Sequence, residues 1–276
     1  MTLRRLDRRA LFASGAAAAL LAAAGVSAGP LPRRGGKLRL ALSGAARSDD
    51  WLRGEGLFMQ VARQGLVFET LTEVAADGTL RGELATGWTT SSEGRVWTFQ
   101  LREGVAFHDG VPFTSADVVH SLADLGAVRA LSPERVQITL DQPDTALPFT
   151  LARSAHVIRA AHAPQAGIGT GLYHLRHFAP GQQLLADRVL QHWKDGRAGW
   201  FDTVELVSIP SAPVRVQAIA EYLVDGADID DARALRDLDD IAVWDGQAVA
   251  RSVAMPSALG RGLFDDLRAP QRWWGA

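Results

Sequence analysis

The sequence predicts a mixed α/β protein, because strand patterns alternate with helix patterns along most of the chain. Residues 37–42 and 135–140 alternate polar and apolar side chains, as half-buried strands do. Residues 57–68 and 213–223 instead carry apolar side chains at helical spacing. Segments that alternate in this way are typical of folds in which helices pack on a sheet.

The composition fits a globular protein and excludes several classes of function. Of the 276 residues, 47% are hydrophobic, which is enough to build a core. The 29 basic residues are balanced by 31 acidic ones, and this gives no excess positive charge for binding nucleic acid. The chain has no cysteine, so disulfides, thiolate metal sites and a thiol nucleophile are excluded.

Residues 1–28 have the features of a secretory signal. A charged stretch that contains Arg8 and Arg9 precedes the uncharged, Ala/Leu-rich residues 11–26 and the small residues up to Ala28. The arginine pair resembles the twin-arginine export signal, and the 16-residue apolar run is shorter than the roughly 20 residues of a membrane span. We therefore expect a periplasmic protein that loses residues 1–28 and begins with a flexible lead at 29–35.

The first half of the mature chain combines several strands with two helices. The helix over 118–125 follows a capping box in which Thr114 pairs with Asp117. The strand over 95–101 contains Trp97 and Phe99, which we place on different strand faces. The other elements expected here are strands at 37–42 and 135–140, a helix at 57–68, unassigned segments at 71–74 and 84–88, and turns at 77–78 and 108–110.

The second half continues the alternation. A hairpin is expected around the turn at 179–181, with strands over 173–178 and 183–189. After it we expect a strand at 204–209, a helix at 213–223, a short strand at 227–229, a helix at 231–238 and a strand at 241–244.

The candidate chemical groups favour a structural role over catalysis. His108 and Asp109 could form a metal-binding or acid–base pair, but Gly110 and Pro112 follow them and indicate a turn. We expect Asp109 to accept backbone amides there, and His108 to pack or cap. No G-x-S-x-G elbow, P-loop or dinucleotide fingerprint occurs. The sequence therefore predicts no catalytic residue, no cofactor and no direct metal site.

Two blocks of residues resemble the family-5 extracellular solute-binding proteins, the peptide and nickel receptors of ABC importers. The first block, residues 66–122, matches the family pattern "T..F.LR.GV.FHDG.P..A.DV..S" and its neighbours. In the second block, residues 169–173 resemble the family's "GTGPY". The signature residues that carry this resemblance are Trp88, Phe107, His108, Asp109, Gly110, Gly169, Thr170, Gly171 and Tyr173.

The resemblance implies a type II periplasmic-binding-protein fold, reduced to its first lobe and an inserted subdomain. Residues 36–50 and 155–262 would form the lobe, and residues 51–154 the insert. Residues 264–268 resemble the segment at which full-length members enter their second large lobe. Residues 263–276 would then be a truncated crossover, with the second lobe absent.

The resemblance also implies a non-enzymatic function, that of the solute-binding component of a peptide-type ABC import system. Its partners would be a peptide or other small solute, ABC permease subunits, and a second chain that completes the cleft. The ligand would lie against the residues Ser43, Gly44, Ala45, Arg251, Ser252, Val253 and Met255. Two alternatives stay open: a periplasmic interaction module that captures no solute, or a truncated relic of a receptor. Binding of a metal chelate or haem is a minor alternative.

Replacement of Arg8 and Arg9 by lysine tests the export signal. We expect R8K/R9K to leave precursor in the cytoplasm, because a twin-arginine receptor reads both guanidinium groups. Cell fractionation and the mass of the exported protein measure this, and the wild-type mature chain should begin at Gly29. Undiminished periplasmic protein in the double variant would exclude the twin-arginine route, and an uncut mass would exclude cleavage.

Overall fold

A computed structural model describes residues 34–74, 79–236, 238, 241–245 and 252–256. The predicted signal at 1–28, with Arg8 and Arg9, lies outside the described residues, as do Arg251 and the expected crossover at 263–276. Within the described part, no helix is long and apolar enough to cross a membrane.

Thirteen strands and five α-helical segments are described. The strands are β1 Lys37–Leu42, β2 Thr72–Val74, β3 Leu80–Gly82, β4 Ala85–Ser91, β5 Val96–Leu101, β6 Ala127–Ser132, β7 Arg135–Thr139, β8 Tyr173–Ala179, β9 Gln183–Arg188, β10 Thr203–Ser208, β11 Gly226–Ile229, β12 Ile241–Asp245 and β13 Ser252–Pro256. The helices are α1, which comprises Leu57–Gln60 and the π-helical Val61–Val67, α2 Ser115–Ser121, α3 Leu147–Thr150, α4 Ala212–Ala220 and α5 Arg233–Arg236.

A seven-stranded mixed sheet is the larger of the two main layers. Its strand order is β12-β13-β11-β1-β10-β9-β8. Strand β1 runs parallel to both neighbours, with Leu40 opposite Leu206 of β10 and Gly226 of β11. The other pairs, β10–β9, β9–β8, β11–β13 and β12–β13, are antiparallel. The carboxyl ends of β1, β10 and β11 therefore meet at one edge of the sheet.

Helix α1 packs on this sheet and supplies much of its core. Phe58, Met59 and Leu66 are fully buried in one cluster with Leu40 of β1 and Tyr173 of β8. The sequence placed this helix correctly but within the inserted subdomain, residues 51–154. In the structure, residues 57–68 share the core of the large sheet instead, because the apolar face of α1 finds its partner there.

The inserted part forms its own sheet, with the order β4-β5-β7-β6, and a separate core. Phe99 is fully buried and Trp97 is 5% exposed, and their rings stack at a centroid distance of 6.2 Å. The expectation that they lie on different faces is therefore wrong, because side chains two positions apart in a strand share a face. The capping box of α2 is confirmed, with Thr114 and Asp117 bonded reciprocally.

Strands β3, β6 and β13 were not predicted, and each lacks a clear periodic signal. Strand β3 has three residues, and β6 is mostly exposed, so neither needs the alternation that marks a half-buried strand. Strand β13 includes Ser252, Val253 and Met255, for which the family resemblance predicts ligand contact and no strand.

Glycine at position 110 has a conformational role that substitution can test. Gly110 has φ = +86° and donates its N–H to the Phe107 carbonyl at 2.8 Å, and a Cβ atom there would meet nothing within 4 Å. We expect Gly110→Val to lower the free energy of unfolding by at least about 1 kcal/mol, because a β-branched residue strains at positive φ.

Gly87→Val is the matched control, since Gly87 also has open space around its Cβ position but no positive φ. Urea unfolding compares the two variants. Equal stability of G110V and wild type would contradict the turn geometry.

Candidate functional site

The edge where the parallel strands end is the first candidate site. Strands β1, β10 and β11 end at Leu42, Ser208 and Ile229, and each continues into a loop. The two neighbours, β10 and β11, lie on opposite sides of β1. In open α/β sheets, ligands bind in the crevice outside the carboxyl ends of the strands.

A buried carboxylate holds the loop that follows β1. Asp228 on β11 is 1% exposed, and its two oxygens accept the N–H of Ser43 at 2.8 Å and the Ser43 hydroxyl at 2.7 Å. Both bonds tie the first residue after β1 to the neighbouring strand. Ser43 thus has a fixed position at the edge, set by β11.

A buried arginine on α4 connects the ends of β10 and β11. The Arg215 side chain is 1% exposed, and its Nη2 lies 3.5 Å from Asp228 Oδ2. Its Nε donates to the Asp228 carbonyl at 2.6 Å, and its Nη1 donates to the carbonyls of Ile209 and Pro210 at 2.8 and 3.0 Å. The guanidinium therefore balances the charge of Asp228 and also fixes the loop after β10.

The loop from Ser43 to α1 is held in place by a close backbone crossing. A Cβ atom on Gly56 would lie 1.7 Å from the Gly44 carbonyl oxygen, so only glycine fits there. Phe58 donates its N–H to the Ser43 carbonyl at 3.2 Å. Trp51, within the loop, is buried against Phe178 with a ring-centroid distance of 5.0 Å. The loop is thus anchored at both ends and in its middle.

The structure places most of the predicted ligand-binding residues near this edge. Ser43 and Ala45 are half-buried and Gly44 is exposed. Strand β13 begins at the same edge, where Ser252 pairs with Ile229 and Val253 pairs with Asp228. Met255 lies further along β13, opposite Ala242 of β12. Arg251 lies outside the described residues, and ligand contact by any of this set stays a prediction.

The signature turn packs against the Gly-Thr-Gly loop. His108 donates its backbone N–H to the Gly169 carbonyl, and its Nε2 lies 2.9 Å from the Gly171 carbonyl oxygen. Asp109 accepts the Val111 N–H at 3.2 Å and lies 2.7 Å from His162 Nε2. The turn pattern predicted this structural role for Asp109 and His108.

The glycines of the second block are required by a close approach of two backbones. A Cβ atom on Gly169 would lie 1.9 Å from the Val67 carbonyl oxygen, and one on Gly171 would lie 2.2 Å from the Leu66 carbonyl oxygen. The loop therefore lies directly on the end of α1. Tyr173, which follows, is fully buried in the core of the large sheet, and Trp88 is partly buried against the core of the insert.

A surface groove of about 730 Å³ lies beside the signature turn. Its lining combines the turn, the Gly-Thr-Gly loop and the segment after β9, namely Gly104, Val105, Ala106, Phe107, His108, Gly110, Thr170, Gly171, Val189, Gln191, His192, Trp193 and Asp195. His192 contacts the Thr170 carbonyl oxygen through Nε2 at 2.9 Å and accepts the Lys194 N–H at Nδ1. Both nitrogens of His192 are thus engaged by the protein.

Burial suppresses protonation of the groove histidines. Burial lowers the pKa of His108 to about 4, although its hydrogen bond to Gly171 and the nearby Glu69 favour the charged form. The nearby His174 and His192 add to the lowering. Burial also lowers the pKa of His192. Across the described ranges, no group of three or more His, Cys, Asp or Glu side chains is arranged to hold a metal ion.

A buried charged cluster next to the groove was not predicted from the sequence. Lys194, with its side chain 8% exposed, lies between Glu69, Glu73 and Glu83. One signal could have found it, since Glu69 and Glu83 each stand beside strongly apolar residues. Arg215 and Asp228 were missed as well, because their pairing depends on the packing of α4 against β11.

Comparison with known protein families gives a match over most of the chain. Residues 79–268 match the bacterial extracellular solute-binding proteins, family 5 middle region. The nickel-binding periplasmic protein of Escherichia coli K12 is 35% identical over 97 residues, which cover 29% of this chain and 18% of that protein.

Solved structures show the same fold. The periplasmic binding protein AgaA of A. tumefaciens R10, in complex with agropinic acid, superimposes with a TM-score of 0.69 and 23% identity, over 76% of this chain and 48% of that one. The periplasmic binding protein DppA of Helicobacter pylori, in complex with the peptide STSA, superimposes with a TM-score of 0.64 and 20% identity, over 76% of this chain and 50% of that one. The chain spans about half the length of these solved relatives. The mixed α/β fold predicted from the sequence is thus confirmed as that of the periplasmic binding proteins.

The low pKa of His108 predicts a loss of stability in acid. The folded protein keeps this imidazole neutral, whereas the unfolded chain takes up a proton near pH 6.5. The contribution of neutral His108 to the free energy of unfolding is complete above pH 6.5 and is lost as the pH falls from 6.5 towards 4. We expect His108→Gln to reduce the change in unfolding free energy between pH 7 and pH 4.5 by about 2–3 kcal/mol.

Urea unfolding at both pH values measures this change. His177→Gln is the control, because it replaces an exposed histidine on β8. An unaltered difference between the two pH values in H108Q would show that His108 is protonated in the folded protein.

Proposed function

Because this chain belongs to family 5 of the bacterial extracellular solute-binding proteins, we propose that it is the periplasmic solute-binding component of a peptide-type ABC import system. The observation that carries the proposal is the edge where β1, β10 and β11 end. There, Asp228 and Arg215 fix Ser43 and the neighbouring loops through hydrogen bonds within the protein itself. Such preorganisation lowers the entropic cost of binding.

The described residues supply one wall of the proposed site. Ser43, Gly44 and Ala45 would contact the solute, together with the start of β13 at Ser252 and Val253, while Arg251 and Met255 are the less direct candidates. A ligand held by one wall keeps much of its surface in water, and each 1.4 kcal/mol of lost contact weakens binding tenfold. We therefore propose that a second wall, from a second chain, is needed for tight capture.

The proposed partners follow from the family. The solute would be a peptide or another small polar molecule, and the complex would deliver it to ABC permease subunits in the membrane. Export through the twin-arginine signal, with cleavage after Ala28, would bring the protein to the periplasm. The signature residues Trp88, Phe107 and Gly110 would serve the fold and not the ligand, since they pack or turn within the insert.

Metal-chelate binding is kept as a second candidate because of one relative. The nickel-binding periplasmic protein of Escherichia coli K12 is 35% identical over the region it shares with this chain. A chelated metal brings its own ligands, so it needs a shaped surface more than protein ligands of its own. The strand-end edge offers such a surface as readily to a chelate as to a peptide.

Titration of the ¹⁵N-labelled mature chain, followed by NMR, tests the site. The probes are trialanine, glutathione and a nickel–histidine chelate, added separately. We expect amide shift changes at residues 43–45, 209, 211 and 230, with a Kd weaker than about 0.1 mM because one wall leaves the ligand partly solvated. The probe that produces these changes identifies the class of solute.

Two matched variants separate the edge from the rest of the surface. Ser211 is exposed at this edge and its side chain makes no capping hydrogen bond, whereas Ser91 is exposed on the insert. We expect Ser211→Tyr to weaken the response and Ser91→Tyr to leave it unchanged. Shifts centred on the groove at His108 and His192 would contradict the proposed location, and saturable micromolar binding would contradict the need for a second wall.

A further inference from the structure

Two separate apolar cores are joined in this protein by a polar layer. Phe68 belongs to the core of the seven-stranded sheet, and Leu71 belongs to the core of the four-stranded sheet. Glu69 and Thr70, which stand between them, are buried. The chain returns from the insert beside this point, where Ile158 donates its N–H to the Glu69 carbonyl at 2.8 Å. The two crossing segments thus pair at Glu69 and Ile158.

Lys194 reaches this crossing from the segment after β9. Its ammonium nitrogen lies 2.5 Å from Glu83 Oε1, 3.3 Å from Glu73 Oε2 and 3.4 Å from Glu69 Oε1. The Glu83 side chain is fully buried, and its Oε2 accepts the N–H and hydroxyl of Thr70. The Lys194 side chain therefore contacts the crossing at Glu69, strand β2 at Glu73 and the link between β3 and β4 at Glu83. We call Lys194, Glu69, Glu73 and Glu83 the polar joint.

The residue before Lys194 strengthens the same connection. Trp193 donates its indole N–H to Glu69 at 3.1 Å. The guanidinium of Arg102, which follows β5 in the insert, lies 3.8 Å from the Trp193 ring centroid, and its Nε donates to the Glu83 carbonyl at 3.0 Å. Cation–π contact and hydrogen bonds therefore join the two layers next to the ion cluster.

From these contacts we infer that Lys194 is the positioning residue that fixes the insert against the seven-stranded sheet, and that the polar joint opens as a local unit. Apolar contacts alone would tolerate several relative placements, whereas an ammonium with three carboxylates fixes one. The desolvation of four charges leaves this region less stable than either core. The inference is independent of the solute proposed above.

Lysine acylation in the unmodified protein gives the first test. The sequence contains two lysines, Lys37 and Lys194, and both form ion pairs at 2.5 Å. Lys37 is 46% exposed and Lys194 is 8% exposed, so Lys37 is an internal control for the effect of burial. With limiting acetic anhydride and peptide mass spectrometry, we expect Lys194 to react at least about tenfold more slowly than Lys37.

The dependence of this rate on urea decides whether the joint opens separately. We expect labelling of Lys194 to increase with urea less steeply than global unfolding does, because local opening exposes less surface. Equal reactivity of the two lysines would show that the joint is not formed. If the acylation rate of Lys194 rises with urea as steeply as global unfolding does, the polar joint never opens by itself. Either result overturns the inference.

The variant Lys194→Met gives the second test, with Lys37→Met as the matched control. Amide hydrogen exchange should rise at residues 69–74, 79–84, 157–160 and 189–198 in K194M, while β1, β10, β5 and β7 keep their protection. Lys194→Arg should lose less protection than K194M in these segments, since it keeps the positive charge but replaces a compact ammonium by a larger planar group. Uniform loss of protection in K194M, or no loss in the four segments, overturns the positioning role. Should K194M fail to fold, the acylation experiment still decides the inference.

Discussion

The contact between Arg215 and Asp228 is the constraint on which the candidate site depends. Asp228 is a buried carboxylate in the middle of a sheet, and an unpaired charge there would cost several kcal/mol. Arg215 compensates that charge and also donates hydrogen bonds to the carbonyls that follow β10. The two carboxylate oxygens of Asp228 in turn accept hydrogen bonds from the N–H and hydroxyl of Ser43. The geometry of three loops is therefore set by one ion pair beneath them.

Apolar burial and hydrogen-bonded charges have different roles in this fold. Each sheet has its own apolar core, which supplies the bulk of the burial energy and keeps the sheet intact. The layer between the cores is polar, with Glu69, Glu83 and Lys194 at its centre. Apolar burial is non-directional, and hydrogen-bonded charges require one geometry. The cores thus account for stability, and the polar layer accounts for how the sheets are placed.

The densest sequence signature serves packing. His108 and Gly110 shape a turn, and Gly169 and Gly171 allow the next loop to lie on the end of α1. His108 is held neutral by its surroundings and its Nε2 is already engaged by a carbonyl. A signature of this kind identifies the fold well and says little about the solute. The strand-end edge lies elsewhere, at positions with weak sequence signals.

The sequence by itself determined the α/β class, most strands and helices, the capping box at Thr114 and the family, because local periodicity and short motifs are properties of neighbouring residues. Only the tertiary structure decided that α1 belongs to the large sheet, and that Trp97 and Phe99 share a core. It also decided which charges are buried together. Lys194 lies 111 positions from Glu83 along the chain, and no local pattern reports a pairing between elements so far apart.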